Sequence, residues 1–241
     1  MSPELRRHDD ADLLVGDLAS ALLDRIEAAQ ARGEVPHVAL TGGTITEALH
    51  RELARRAPDS SVDWSRVDFW WGDERFVPAD STDRNARQAR EAFLDRVGVD
   101  PARVHEVPAS DQVATAEDAA AAYDAALREH GGGTFEVLML GIGPDGHTAS
   151  LFPGHPALGA RDAVAVAVHD SPKPPPDRVS LTFEAMERAR AVWFIASGDG
   201  KAEAVARALA AEGSVEETPA RGVRNEATVW WLDEAAASAL P

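Results

Sequence analysis

Three turns of this chain carry side chains able to do chemistry. The first is Asp145-Gly146-His147, a carboxylate and an imidazole two residues apart, placed just after Gly141-Ile142-Gly143-Pro144 and an apolar run at 135–140. An apolar run of this kind reads as a buried strand. Open α/β sheets place ligand chemistry at the carboxyl ends of their strands, and glycine lets the backbone approach a ligand closely. Two readings stand side by side: Asp145 and His147 begin a helix, one as its cap, or they form part of a site. The second turn, Thr41-Gly42-Gly43-Thr44, lies between a short apolar strand at 35–40 and a helix at 45–56 with Ile45, Ala48, Leu49 and Leu53 on one face. It is either a plain tight turn or an anion site built from backbone N–H groups and the positive end of the helix dipole. Its glycine spacing is that of neither a Walker loop nor a dinucleotide fingerprint. The third turn, Ser197-Gly198-Asp199-Gly200-Lys201, joins a strand at 191–196 to a helix at 201–212. Lysine is unfavourable at a helix start, so Lys201 points to an anion held there. A fourth cluster, Asp73-Glu74-Arg75, ends a strand at 67–71 and reads either as site residues or as a solvated loop with an internal ion pair.

The elements that position these turns alternate along the chain. A helix at 9–32 places Leu13, Leu14, Leu18, Leu22, Ile26 and Ala29 at helical spacing. A helix to about residue 97 follows, capped by Asp83 or Ser81, then a brief strand at 103–107 and an Ala-rich helix at 115–130 ended by Gly131-Gly132-Gly133. A strand is expected at 163–168, a Pro-rich loop at 170–176, a helix at 183–190, a strand at 228–232 and a terminal helix at 233–240. Alternation of this kind implies an α/β fold of three layers, a mostly parallel open sheet with helices on both faces. No composition shift marks a linker, so residues 1–241 read as one domain, and the Pro-rich loop is the one candidate for a flap.

Composition narrows the function classes. The chain is 44% hydrophobic with no run long enough for an apolar membrane span, and residues 1–12 are too polar for a secretory signal. It contains no cysteine, which excludes disulfides and thiolate chemistry, and a cytoplasmic location is expected. A net charge of −17 argues against a broad nucleic-acid-binding face, whose main attraction is phosphate neutralisation. Lys173 and Lys201 are the only lysines among 24 Lys and Arg residues. A lysine kept where arginine is the rule points to a need for a compact ammonium. The position of Lys173, inside Ser171-Pro172-Lys173-Pro174-Pro175-Pro176, reads as an exposed loop charge.

Taken in order, Leu40-Thr41-Gly42-Gly43-Thr44, Trp71-Gly72-Asp73-Glu74-Arg75, the stretch from Leu140 through Asp145-Gly146-His147 to Phe152-Pro153, Arg178-Val179-Ser180-Leu181-Thr182 and Gly198-Asp199-Gly200-Lys201 resemble the glucosamine-6-phosphate isomerase/6-phosphogluconolactonase family over roughly residues 35–205. The resemblance is to its lactonase branch, and it implies a modified Rossmann-like fold of the sugar-phosphate isomerase and lactonase type. The deaminase branch shares the Asp-Gly-His turn but carries a Tyr where this chain has Arg75 and a catalytic Glu where it has Phe152. That leaves a deaminase or sugar-phosphate isomerase as the alternative enzyme, and a non-catalytic sugar-phosphate sensor as the alternative outside catalysis.

The implied reaction is hydrolysis of 6-phospho-D-glucono-1,5-lactone to 6-phosphogluconate, without metal or organic cofactor. In that reading His147 takes a proton from water and returns it to the ring oxygen. Asp145 either orients His147 or binds a sugar hydroxyl. The phosphate sits on the amides of Thr41, Gly42, Gly43 and Thr44 and on Lys201. Arg75 and Arg178 contact phosphate or the developing oxyanion, and Asp73 and Glu74 line a small positive pocket, holding the arginines or the sugar hydroxyls. The partners expected are a small sugar-phosphate lactone, with no nucleic acid and no membrane, for a monomer or weak homodimer.

Overall fold

A computed structural model describes residues 3–130 and 134–241. The Gly131–Gly133 helix terminator expected from the sequence lies outside the described residues. The centre is a six-stranded sheet in the order β1 (Glu4–His8), β9 (Thr228–Asp233), β8 (Val192–Ala196), β5 (Val137–Gly141), β2 (His37–Leu40), β3 (Asp68–Trp71). Every pairing in it is parallel. Alternate residues of the inner strands supply different cores, as a pleated strand buried on both faces requires. Leu138, Phe194 and Trp230 enter one core, and Val137, Met139, Trp193 and Trp231 enter the other.

The second core is closed by α1 (Ala11–Ala31), α2 (Thr44–Arg56) and α3 (Asn85–Ala92). Leu14, Leu18 and Ile26 of α1 are fully buried, one stripe at helical spacing, and Asp10 caps the helix by accepting from the Leu13 N–H. The first core is closed by α4 (Ala116–Glu129), α5 (Phe183–Glu187), α6 (Ala202–Leu209) and α7 (Glu234–Ala237), together with a second sheet. That sheet is antiparallel, in the order β4 (Asp73–Arg75), β7 (Arg178–Leu181), β6 (Ala165–Val168).

Two expectations change here, and one strand is new. The strand at 163–168 exists but belongs to the small antiparallel sheet. The strand expected at 103–107 is only a single bridge between Val104 and Phe69. Residues 4–8, which show no apolar alternation, form an edge strand held by β9.

β2, β5 and β8 are neighbours and parallel, so their carboxyl ends share one rim. The chain passes from β2 outward to β3 on one side and enters β5 and then β8 on the other, which makes the β2–β5 boundary the switch point of the sheet. The turns at 41–44, 141–147 and 197–201 all leave from that rim.

Candidate active site

A cavity of about 650 Å³ opens at this rim. The turn Thr41, Gly42, Gly43 and Thr44 lines it, together with Lys201 and Ser197 from the β8–α6 turn and with His147, Lys173, Arg178, Asp73 and Arg75. One carboxylate, two lysines and two arginines therefore meet there, a positive pocket in a chain of net charge −17.

The Gly43 end is a helix start with no side-chain cap. Gly43 precedes α2 with φ 117° and no side-chain hydrogen bond satisfies the first turn. The leading N–H groups of α2 have no carbonyl a turn earlier to bond, and they line the cavity. Gly42 is glycine for want of room: a Cβ there would lie 2.0 Å from Asn85 Oδ1. The Asn85 side chain donates to the Asp73 carbonyl at 2.9 Å, and its Oδ1 accepts from Arg75 Nη1. Arg75 Nη1 also donates to the Asp83 carbonyl at 3.1 Å. Asn85, which sequence reasoning did not single out, is thus the brace between the glycine turn and Arg75.

Glu74 is a correction. It does not line the pocket but is buried, and its carboxylate accepts the backbone N–H groups of Arg75, Asn85 and Ala86, each at 2.8 Å. It caps α3 from a distant strand, in place of the Asp83 or Ser81 cap expected from sequence; Arg84, the residue at that position, makes no side-chain cap bond. Burial pushes the Glu74 carboxyl up to about 7, against the pull of Arg84 and of those three N–H groups. Asp73 does line the cavity, and its Oδ2 accepts from the buried Ser150 hydroxyl at 2.6 Å.

On the β5 side the chain forms a closed loop and no helix follows it, so the helix-start reading of Asp145 and His147 falls away. Gly143 N–H donates to the His147 carbonyl at 2.9 Å, Gly146 N–H to the Gly143 carbonyl at 2.8 Å, and Gly146 has φ 89°. A Cβ on Gly143 would lie 2.0 Å from His147 Nδ1. The glycines let the loop fold tightly enough for Asp145 Oδ1 to meet His147 Nδ1 at 2.5 Å. An ionised carboxylate only accepts, so Nδ1 carries the proton, and in the neutral ring Nε2 is the nitrogen with the lone pair. Burial pushes the Asp145 carboxyl up, but the hydrogen bond from His147 and the charges of His147 and Lys173 hold it well below the usual carboxylate range. The imidazole packs on Phe152, with ring centroids 4.6 Å apart. Phe152 itself is buried, so the position that carries Glu in deaminases offers no acid or base here.

Lys201 stands immediately before α6, and its Nζ donates to the Ile142 carbonyl at 2.8 Å. Burial and the nearby Lys173 charge pull its pKa down, while Asp145 raises it. Arg178 is buried, with Nε and Nη2 donating to the carbonyls of Pro175, Lys173 and Pro174 at 3.0–3.2 Å. Much of its bonding therefore fixes the Pro-rich loop. Lys173 is a second residue whose place sequence reasoning missed: it reaches the Asp145–His147 pair instead of solvent alone. The signal available was its rarity as a lysine.

The family described as glucosamine-6-phosphate isomerases/6-phosphogluconolactonase matches residues 9–231. A Streptomyces coelicolor 6-phosphogluconolactonase is 46% identical over 250 aligned positions, covering 100% of this chain and 95% of that protein. A Mycobacterium tuberculosis 6-phosphogluconolactonase is 42% identical, with 100% of both chains covered. Among solved structures, 6-phosphogluconolactonase from Trypanosoma brucei superposes with a TM-score of 0.88 at 28% identity, over 100% of this chain and 99% of that one. A monomeric glucosamine-6-phosphate deaminase shares the fold with a TM-score of 0.84 at 18% identity, over 98% and 99%. With its family match, its full-length relatives and its shared fold, the chain belongs to the glucosamine-6-phosphate isomerase/6-phosphogluconolactonase family.

Proposed function

We propose that this protein hydrolyses 6-phospho-D-glucono-1,5-lactone to 6-phosphogluconate, the lactone-opening step of the oxidative pentose phosphate pathway. The observation that carries the reading is the cavity itself: an uncapped helix start, Lys201 and an imidazole bonded through Nδ1 to Asp145 all line one cavity. The full-length relatives named 6-phosphogluconolactonase support the same substrate.

In this reading the phosphate dianion occupies the N–H groups that begin α2 and the Lys201 ammonium, where helix dipole and charge act together. The lactone ring then extends toward His147. Nε2 accepts a proton from the attacking water, and Nδ1–H stays bonded to Asp145, which stabilises the imidazolium as it forms. The proton returns to the ring oxygen as the C–O bond breaks. A positioned base of this kind contributes about 10²–10⁴-fold. Arg75, braced by Asn85, stands to meet the carbonyl oxygen as it gains charge. Asp73, fixed by Ser150, is suited to a sugar hydroxyl. Phosphate attraction is local: at ~8 Å Debye length the negative surface is screened, while contacts in the pocket are not.

The test is a substrate panel. Freshly prepared 6-phosphogluconolactone is expected to open faster than its spontaneous rate, and the unphosphorylated lactone to be a far poorer substrate. Glucosamine 6-phosphate is expected to release no ammonia. Ammonia release, or equal turnover of both lactones, contradicts the assignment.

A further inference from the structure

We infer that Lys173 is a positioning residue for the general base, an inference that rests on the lactonase reading above. Its ammonium lies 3.2 Å from His147 Nδ1 and 3.5 Å from Asp145 Oδ1, astride the hydrogen bond that sets the imidazole. The loop that delivers it is tied at several points. Arg178 donates to the Lys173 carbonyl at 3.0 Å, the Ser171 hydroxyl donates to the same carbonyl at 2.9 Å, and the Lys173 N–H donates to the Ser171 hydroxyl at 3.2 Å. At the base of the loop His169 bridges Asp177 and Glu117. These bonds aim the side chain at the pair.

The residue type fits the task. This chain uses lysine at only two positions, and both line this one cavity. In the reading above Lys201 serves the phosphate, while Lys173 stands at the Asp145–His147 pair. A compact ammonium fits beside an existing Asp–His bond, where a planar guanidinium would compete for the same oxygen. The ammonium does two things. It favours the ionised form of Asp145, the form that accepts the Nδ1–H. It also stands against the outer side of the Asp145–His147 bond, so neither partner can swing away on that side. The charged groups around His147 are Asp145 on its own turn, Lys173 from the loop, Lys201 from the start of α6, Arg178 beyond Phe152, and Asp73 and Arg75 of β4 across the cavity.

The chain has no cysteine, so a Lys173→Cys variant carries a single thiol. Alkylation with 2-bromoethylamine forms one S–C bond, expels bromide and restores an ammonium at nearly the lysine length. Lys173→Cys is expected to lose about tenfold or more in kcat, the size of loss seen when a partner that orients a metal-bound imidazole is removed. KM should change little. Aminoethylation should recover kcat. The His147 ring tautomer, read from its ring-nitrogen NMR shifts and identified by their absence in His147→Ala, should lose its fixed Nδ1–H form in the variant and regain it on aminoethylation. That readout needs no turnover, so it separates this inference from the lactonase assignment. Unchanged kcat in Lys173→Cys, a rise in KM alone, an unchanged His147 tautomer or failure of aminoethylation to restore activity overturns it.

Discussion

The two ends of the cavity are built on different principles. The phosphate end is mostly backbone: the first turn of α2, with Lys201 before α6, leaving β2 and β8, the strands on either side of β5. The chemical end is side chain held by side chain: His147 by Asp145, Asp73 by Ser150, Arg75 by Asn85. A helix start presents N–H groups in fixed directions whatever its side chains are, so the first end needs little support. The second works only if each group is aimed by its neighbour. Substitutions at the two ends should therefore separate into effects on KM and effects on kcat.

The largest effect in this comparison is expected at Asp145. Asp145→Asn leaves the shape but offers His147 Nδ1 an amide, which no longer fixes the tautomer, and kcat should fall about a hundredfold or more with KM nearly kept. Steady-state kinetics corrected for spontaneous opening measure it. Next is Lys201→Ala, which should raise KM by roughly ten- to a hundredfold for loss of a charge-assisted contact, with kcat within a few-fold. A kcat collapse there would mean that the two ends are not separable. Gly42→Ala is smaller and crosses the divide. Its Cβ meets Asn85 Oδ1, so the Arg75 brace must shift, costing about 1–3 kcal/mol in stability as an overpacked site does. Thermal unfolding and kinetics of the same variant should show a lowered Tm together with a raised KM and reduced kcat.

The smallest effect on turnover is expected beneath the phosphate end, at His50 of α2. It is buried against Phe93 with no partner for Nε2, and burial pushes its pKa down to about 4. Below the ordinary value of 6.5 the unfolded chain takes the proton before the folded chain does, so this group removes stability as pH falls from 6.5 toward about 4. Glu74 acts oppositely: with its pKa raised from 4.5 to about 7, it removes stability as pH rises through that window. The useful reading is the difference between His50→Leu and wild type. The variant should lose less stability on acidification, as measured by denaturant midpoints across the range, with kcat and KM unchanged.

The contrast between the two ends also explains what could be read from the chain alone. Strand–glycine–helix junctions announce themselves locally: an apolar run, a break, an amphipathic run. Gly42 and Gly43, Lys201 and the Asp145–His147 turn were visible for that reason, and placing them on neighbouring parallel strands brings them together. The small antiparallel sheet was not visible. β4 is three charged residues, and nothing in Asp-Glu-Arg says that two of them are buried. The Glu74 cap spans eleven residues of sequence to reach Asn85 and depends on a tertiary approach that no local pattern encodes. Lys173 read as an exposed loop charge because its direction is set by Arg178, which grips the loop from a strand to which the sequence reading assigned no element. β1 shows no alternation because it is an edge strand selected by pairing with β9 rather than by burial.

The central claim is that an imidazole with a free Nε2 faces a separately held phosphate. It is tested most directly by comparing wild type with His147→Ala in two assays on the same preparation: net turnover of 6-phosphogluconolactone and equilibrium binding of 6-phosphogluconate. The account expects kcat to drop by about two or more powers of ten while the product still binds within a few-fold of wild type. Turnover left intact, or turnover and binding lost together in a variant that remains folded, would contradict it.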